Sequence, residues 1–246
     1  MIATWFEHLN ATTGINLSPL YDPLDGARFL HGVLVTIELS TGAILASLVL
    51  GLLAAWLHDA PSRPVRALVR AYVQAFRNTP PLVQLAFFYF AVSAILPRVQ
   101  DRFGDQVPLV SNFGWALVSF SLFAGAFNAE IFRAGIQAVP TAMLEAAESL
   151  GYSRTQRFVH ILMPLAFRIS LPALNNNLVN LLKTTTLASA IGVPELLYAA
   201  SQIWSEALNV REMMNLVLLA YLALVGVLVA IMALLERRLR IPGYGQ

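Results

Sequence analysis

The sequence predicts an all-α integral membrane protein with about five transmembrane helices. Of its 246 residues, 57% are hydrophobic and 12% are charged, and the charged fraction is about half that of a soluble domain. Residues 106–129 and 213–235 contain no charged side chain, and each run exceeds the roughly 20 residues that cross a hydrocarbon core. A soluble protein would cover such runs with charge, so their solvent is lipid.

Five windows of suitable length and composition lie between charged or proline-containing breaks. The predicted spans are 29–57, 70–96, 108–137, 164–193 and 212–236. Residues 1–28 then form a short extracytoplasmic segment, and residues 29–246 form one transmembrane domain. The N-terminus lacks the basic start of a cleavable signal peptide, because the first basic residue is Arg28. We therefore expect the N-terminal segment to be retained.

Arginine is distributed unevenly between the segments that connect these spans, and basic segments stay in the cytoplasm. Three segments are basic: the loop after the first span, the loop after the third span and the C-terminal tail. Their arginines are Arg63, Arg66, Arg70, Arg154, Arg157, Arg237, Arg238 and Arg240. The alternate segments are acidic or balanced in charge. With an odd number of spans, this pattern predicts an outer N-terminus and a cytoplasmic C-terminus.

Composition also excludes several classes of function. The net charge of +2 is spread along the chain without a basic tract, so nucleic-acid binding is not expected. The chain has no cysteine, and its four histidines are dispersed, which excludes disulfides and gives no metal-binding pattern. The single lysine, Lys183, does not follow a glycine-rich phosphate loop. This chain is therefore expected to bind no cofactor, and energy from ATP must come through another chain.

The segment 140–164, between the third and fourth spans, is predicted to form two short helices with a sharp bend. Residues 142–150 are good helix formers, and Gly151 suits the left-handed conformation that ends a helix. Ser153 and Gln156 have the spacing of a capping box. A second helix is therefore expected to start at once and to run to the proline at the end of the segment.

The first of these two helices has a small apolar face on a segment that is expected in the cytoplasm. The face is formed by Met143, Ala146, Ala147 and Leu150. Composition alone leaves two interpretations of it. The face fits a groove on a partner protein, or it packs against the cytoplasmic ends of the protein's own helices.

The same segment resembles the EAA loop of bacterial ABC importer permeases. The matching positions are Glu145, Ala146, Ala147, Gly151, Phe158, Ile161 and Pro164. Similarity to the branch of this family that imports polar amino acids, such as histidine, glutamine and glutamate, covers 32–40, 76–85, 129–136, 182–187 and 191–196. One departure is Thr184, where members often have an acidic residue directly after the lysine. The resemblance implies the type I ABC importer permease fold and a bacterial inner-membrane location.

The resemblance also implies a transport subunit rather than an enzyme. In this family the EAA loop is a coupling helix that docks on a cytoplasmic ATPase, and ATP and Mg²⁺ bind to that partner. The residues implied in ATPase coupling are Met143, Glu145, Ala146, Ala147, Leu150, Gly151 and Ser153. Further implied partners are a second permease subunit, identical or homologous, an extracytoplasmic solute-binding protein, membrane lipid and a polar amino acid as substrate.

Within the predicted spans, a proline pair and several polar residues indicate a transport path. Pro80 and Pro81 remove two helical hydrogen bonds, and lipid could not satisfy the freed carbonyl groups. Ionisable groups at membrane depth are costly and tend to face a bundle interior or a water-filled path. The candidate path residues are Glu38, Arg77, Asn78, Thr79, Glu130, Lys183 and Thr184. A path with both signs of charge suits a zwitterionic amino acid.

Each charged candidate also has a structural interpretation. Glu38 and Arg77 can extend to a membrane interface instead. Glu130 can pair with Arg133 on the next helical turn and anchor the helix end, which we favour. Lys183, in contrast, is favoured as a path residue over a helix-packing contact. For the whole chain, the alternatives are an ABC permease for another small solute, an ion-coupled secondary transporter and an intramembrane enzyme.

Overall fold

A computed structural model describes residues 2–58 and 60–239 of the chain, and most of them are helical. The helices are α1 (Ile2–Thr13), α2 (Pro23–Leu57), α3 (Arg63–Arg77), α4 (Pro81–Ile95), α5 (Asn112–Gln137), α6 (Thr141–Ser149), α7 (Arg154–Ile191), α8 (Leu196–Ala207) and α9 (Val210–Leu239). A short antiparallel hairpin pairs β1 (Arg98–Gln100) with β2 (Gln106–Pro108). The predicted cytoplasmic arginine at position 240 lies outside the described residues.

Among the described helices, four are long and apolar enough to cross a membrane, and they correspond to the first, third, fourth and fifth predicted spans. The first of them, α2, begins at Pro23, earlier than the predicted start at residue 29. Asp22 explains this difference, because its Oδ1 accepts hydrogen bonds from the backbone N–H groups of Leu24 (2.8 Å) and Asp25 (3.2 Å). Such a cap stabilises the first turn of a helix. The all-α character is confirmed.

The second predicted span is not a continuous helix. The chain leaves the helical path between the end of α3 at Arg77 and the start of α4 at Pro81. α4 is shorter than the four long helices and contains a π-helical turn at Phe87–Val92. The span predicted over 70–96 is therefore interrupted, and it is not among the four described helices that are long enough to cross a membrane. The expected break at the proline pair is present, because neither proline has the N–H group that would continue the helix.

The fourth span also differs from its predicted boundary. The helix that starts at Arg154 was expected to stop at Pro164, but it continues as α7 into the fourth span. A π-helical turn at Phe158–Leu162 precedes the proline, and the N–H group of Met163 donates to the carbonyl of Phe158. This wider turn shifts the hydrogen-bond register where the proline lacks a donor, so the helix is not interrupted.

The chain divides into two compact units, and each unit has buried residues of its own. Unit 1 comprises the chain up to Ala43 together with Pro81–Phe120 and Leu181–Gly226. Unit 2 comprises Ile44–Pro80, Ser121–Asn180 and the chain from Val227 onward. The hairpin and α8 therefore lie in unit 1, whereas α3 and α6 lie in unit 2.

In unit 1, small residues bring α2 close to α8. A Cβ atom added at Gly32 would lie 2.7 Å from the Cβ atom of Ala199 and 3.2 Å from the backbone oxygen of Glu195. Ile203 and Met213 are fully buried where α8 and α9 meet. Close approach of this kind supplies packing contacts, which matter in lipid because apolar helices gain no hydrophobic energy from associating there.

In unit 2, a buried polar network joins α2, α5 and α7. Asn177 Nδ2 donates to Asn128 Oδ1 at 2.8 Å, and Asn128 Nδ2 donates to Ser47 Oγ at 3.1 Å. All three side chains are buried. Because hydrocarbon offers no hydrogen-bond partner, these side chains satisfy each other and hold the three helices together.

This network predicts the effect of a glycine substitution. A Cβ atom added at Gly51 would lie 2.4 Å from the Cβ atom of Asn128 and 3.0 Å from its carbonyl carbon. Gly51→Ala is expected to lower the free energy of unfolding by about 1–3 kcal/mol, because backbone atoms must move apart. Thermal unfolding of the purified protein in detergent measures this change.

The control is Gly226→Ala, because no heavy atom lies within 4 Å of a Cβ atom added at Gly226. This variant is expected to leave stability unchanged or to raise it by up to about 1 kcal/mol, since alanine favours the helix. Equal losses in the two variants would contradict the packing argument.

Candidate functional site

The predicted two-helix segment lies in unit 2 and begins with α6. This helix ends in a Schellman motif. The N–H group of Gly151 donates to the carbonyl of Glu148 (2.9 Å), and that of Tyr152 donates to the carbonyl of Ala147 (3.1 Å). Gly151 has a φ of 82°, a left-handed conformation in which a side chain would be strained. The expected helix end and the expected conformation of Gly151 are confirmed.

The second helix of the segment starts with the predicted capping box. The N–H group of Gln156 donates to Ser153 Oγ (3.3 Å), and the N–H group of Ser153 donates to Gln156 Oε1 (2.9 Å). Across the bend, Arg157 forms an ion pair with Glu148 of α6. Capping on both sides of the bend, together with this ion pair, fixes the angle between the two helices. The segment is therefore a firm projection rather than a flexible connector.

The apolar face of α6 is only partly covered by the chain itself. Ala147 is buried, whereas Met143 and Ala146 are exposed and 78% of Leu150 is exposed. Packing against the protein's own helices, one of the two interpretations of this face, therefore holds for Ala147 alone. Glu145 is exposed beside the face. A large apolar side chain presented at the end of a short, firmly held helix is suited to a groove on a partner.

A charged cluster lies at the break after α3. Arg133 donates two hydrogen bonds to Glu130, with N–O distances of 2.7 and 3.3 Å, which confirms the favoured pair. The guanidinium of Arg77 lies farther from the same carboxylate, at 3.7 Å, and its carbon lies 5.4 Å from the centre of the Phe127 ring. Two arginines thus share one carboxylate. The more distant Arg77 is therefore the better placed of the two to exchange this contact for another anion.

Asn78 and Thr79 turn back towards α3. Asn78 Nδ2 donates to Gln74 Oε1 (2.9 Å), and Thr79 Oγ1 donates to the carbonyl of Ala75 (2.7 Å). These bonds close the end of α3, where Pro80 and the proline after it supply no N–H group. Both side chains therefore stabilise the end of α3, and their place in a transport path stays a prediction.

Lys183 and Glu38 both lie in unit 1, and both are exposed. Across residues 2–58 and 60–239, no hydrogen bond or ion pair joins either charged group to another residue. Glu38 shares its face of α2 with Leu34 and Leu45, which are 50% and 61% exposed. Thr184, next to the lysine, is half-buried. Because such charges are costly against lipid, water in a path or another subunit must cover them.

Three polar residues of α7 escaped the sequence prediction. Asn176 and Asn180 are exposed, and the spacing 176, 180, 183 follows one face of the helix. Arg168 lies within the fourth predicted span, and no residue in the described part of the chain pairs with its guanidinium. For the two amides, the available signal was their helical spacing relative to Lys183, which a search for charges cannot find because asparagine is neutral. Arg168 is a charge within the fourth predicted span, so such a search could have found it.

A broken span, a firmly held two-helix segment and charged groups without a partner among the described residues are the features expected of a transport subunit. Residues 47–241, which include all of these features except Glu38, match the family model described as the binding-protein-dependent transport system inner membrane component. The chain belongs to this family. This permease is therefore a multi-pass inner-membrane transport subunit rather than an enzyme, and it works with an ATPase partner and a permease partner.

Relatives of this permease are similar over most of its length. The glutamate/aspartate import permease protein GltJ of Escherichia coli K12 is 29% identical over 214 residues, 86% of this chain and 87% of the relative. The probable glutamine ABC transporter permease protein GlnM of Bacillus subtilis is 32% identical over 225 residues, 92% of this chain and 98% of the relative. The L-cystine transport system permease protein TcyB of the same organism is 33% identical and covers 72% of this chain and 71% of the relative.

Solved structures confirm the predicted type I ABC importer permease fold. A chain from the "crystal structure of an amino acid ABC transporter with histidines" has a TM-score of 0.75 and 29% identity, covering 87% of this chain and 94% of that chain. A chain of the inward-facing MetNI methionine ABC transporter has a TM-score of 0.69 at 20% identity, covering 89% and 99%. This second likeness supports the fold alone.

The exposed amides of α7 in this permease predict a pattern of thiol reactivity. Because the chain has no cysteine, Asn176→Cys and Asn180→Cys each introduce a single thiol. In a water-filled path these thiols ionise, so a charged aqueous reagent is expected to modify them at least about tenfold faster than a thiol held in lipid or in the core. Mass spectrometry of the modified protein in membranes measures the rates.

Two controls define the slow rates. Asn177→Cys reports the buried side of the same helix, and Leu219→Cys reports the exposed apolar surface of α9, where the leucine is 61% exposed. If the thiols at 176 and 180 reacted no faster than the thiol at 219, this face of α7 would be turned to lipid and the path assignment would be wrong.

Proposed function

We propose that this permease imports polar amino acids across the bacterial inner membrane, with energy from a separate ATPase. The observation that carries the proposal is the set of relatives, which are named for glutamate and aspartate, glutamine and cystine and which are 29–33% identical over most of the chain. The solved structure of an amino acid ABC transporter, at 29% identity, supports the same class of substrate.

The coupling role belongs to α6. Leu150 and Ala146 present an exposed apolar surface, and the Schellman motif at Gly151 and the capping box at Ser153 hold it firmly. A coupling helix must be held rigidly to transmit a movement of the ATPase, and its exposed end must fit the surface of the ATPase. We assign Met143, Glu145 and Ala147 to the same contact with the ATPase, in agreement with the family resemblance of this segment.

The transport path uses charges of both signs. Lys183 and Glu38 have no partner among the described residues, and Arg77 holds Glu130 only at 3.7 Å. A zwitterionic amino acid carries a carboxylate and an ammonium group, so it can offer each sign a partner during passage. Thr184, Asn78 and Thr79 remain assigned to this path. We add Asn176 and Asn180 to the assignment, because amides can bond both ends of such a substrate.

The partners follow from this assignment. ATP and Mg²⁺ bind to the cytoplasmic ATPase, a second permease subunit completes the path, and an extracytoplasmic solute-binding protein delivers the amino acid. The proposed orientation has the N-terminus outside and the C-terminus in the cytoplasm, and the arginines of the connecting segments support it. Closure of the ATPase pushes on α6, and this shifts the permease between an outward-open and an inward-open state.

The decisive experiment is uptake into proteoliposomes that contain this permease with its co-purified ATPase and binding protein. ATP-dependent accumulation of radiolabelled glutamate, glutamine, cystine or histidine is the expected result. Accumulation of none of these, together with ATP-dependent uptake of another solute such as a sugar or an inorganic anion, would refute the substrate class and leave the permease family intact.

In the same vesicles, Leu150→Asp is expected to reduce uptake per ATP hydrolysed by about tenfold or more, because a buried interface contact of this size is worth about 1.4 kcal/mol or more. Leu208→Asp is the matched control, since Leu208 is 88% exposed in the turn between α8 and α9 and lies far along the chain from α6. Equal coupling in the two variants would contradict the role of α6.

A further inference from the structure

We infer that Glu195 and Tyr221 form a positioning pair for the transport path, which holds in place the segment that carries Lys183. The inference rests on the proposed path role of Lys183. It adds two residues of unit 1 that neither charge counting nor family resemblance assigned to the path. The sequence placed Glu195 only in an outward-facing connecting segment, whereas the structure buries it completely.

Glu195 is a fully buried carboxylate at the start of α8. Its Oε1 accepts a hydrogen bond from the N–H group of Tyr198 (2.8 Å), and its Oε2 accepts one from the N–H group of Leu197 (2.9 Å). Oε2 also accepts a hydrogen bond from the hydroxyl of Tyr221 (2.8 Å). Three donors satisfy the two oxygens of this side chain, and burial raises the pKa of the Glu195 carboxyl above its usual value.

The pair belongs to a hydrogen-bond network that joins three helices of unit 1. Tyr221 lies on α9, and its hydroxyl donates to the carboxylate at the start of α8. Thr36 Oγ1 in turn accepts a hydrogen bond from the N–H group of Leu196 (3.0 Å). The first turn of α8 is thereby attached to α2 through Thr36 and to α9 through Glu195.

Lys183 lies at the start of the segment held in this way, two residues before its 3₁₀-helical part. α7 is α-helical up to Thr184, and a 3₁₀-helical part, Thr185–Ile191, completes it. Thr185 is fully buried, and its hydroxyl donates to the carbonyl of Leu182 (2.7 Å). This 3₁₀-helical part is joined to Glu195 by two backbone hydrogen bonds, from the N–H group of Val193 to the carbonyl of Ala188 (3.2 Å) and from the N–H group of Glu195 to the carbonyl of Val193 (2.8 Å).

The far end of the same segment is fixed as well. Gly192 ends it in a left-handed conformation, with φ of 73°, and Asn112 Nδ2 donates to its carbonyl (2.8 Å). Only Val193 and Pro194 separate Gly192 from Glu195. An apolar contact could join the same helices with a smaller desolvation cost, but it would not fix their direction. The hydrogen bonds to the Glu195 carboxylate are directional, so they fix the orientation of α8 relative to α9. A fixed orientation is needed to hold a substrate-binding lysine in place.

The test uses Lys183→Cys as the single thiol of the chain, in the complex with its ATPase in membranes. The rate of modification by a charged aqueous thiol reagent reports the position of this side chain and needs no knowledge of the substrate. Tyr221→Phe and Glu195→Gln are each expected to change this rate by about threefold or more, because the loss of a buried hydrogen-bond partner releases the segment.

The matched control is Glu206→Gln, which removes an exposed carboxylate of α8 that pairs with Arg28. It is expected to leave the rate within about twofold of the parent, as for a surface ion pair. Rates within this limit for Tyr221→Phe would overturn the inference. Tyr221→Phe also decides the matter if Glu195→Gln does not assemble, because it removes a single O–H donor from an otherwise unchanged ring.

A second readout separates positioning from simple stability. With Lys183 present, Tyr221→Phe is expected to raise the half-saturating concentration of the imported amino acid by about tenfold, whereas a loss of folded complex would lower only the maximal rate. An unchanged half-saturating concentration would count against the inference. Failure of the parent complex to import any amino acid would instead refute the proposed function, and the thiol rates would still test the positioning pair.

Discussion

The fold depends on one constraint, which is that polar groups inside a membrane must find partners within the protein. In unit 2 the constraint is met by Ser47, Asn128 and Asn177, and in unit 1 by Glu195 and Tyr221. The helix interruptions obey it too, because side chains or wider turns take over the bonds that the prolines cannot make. These hydrogen-bonded groups stabilise the fold by joining helices within each unit.

Charged groups without a partner in the protein are the candidates for a functional role. Lys183 and Glu38 expose charges that no described residue compensates. Such charges are costly against hydrocarbon. Glu130 illustrates the difference, because its firm pair with Arg133 is structural, whereas its longer contact with Arg77 is free to exchange. Asn176 and Asn180 are exposed amides on the same helix as Lys183.

The sequence predicted the elements whose signals are local. Windows of apolar composition predicted the four long helices, and the Gly151 end and the Ser153 cap of the two-helix segment followed from spacing alone. It did not predict that α7 continues through Pro164, because the π-helical turn that permits this depends on hydrogen-bond register. Nor did it predict the burial of Glu195, since the hydroxyl that bonds it is 26 residues away in sequence. Contacts of that range become visible only in the folded chain.

Coupling requires that α6 binds to the ATPase subunit, and chemical cross-linking tests this contact most directly. Ala146→Cys places one thiol on the exposed face of α6, and a short bifunctional reagent applied to native membranes would join it to any protein within reach. The account predicts a covalent product with the ATPase subunit, and none from Gln202→Cys on the exposed side of α8. Absence of that product from position 146 would contradict the account.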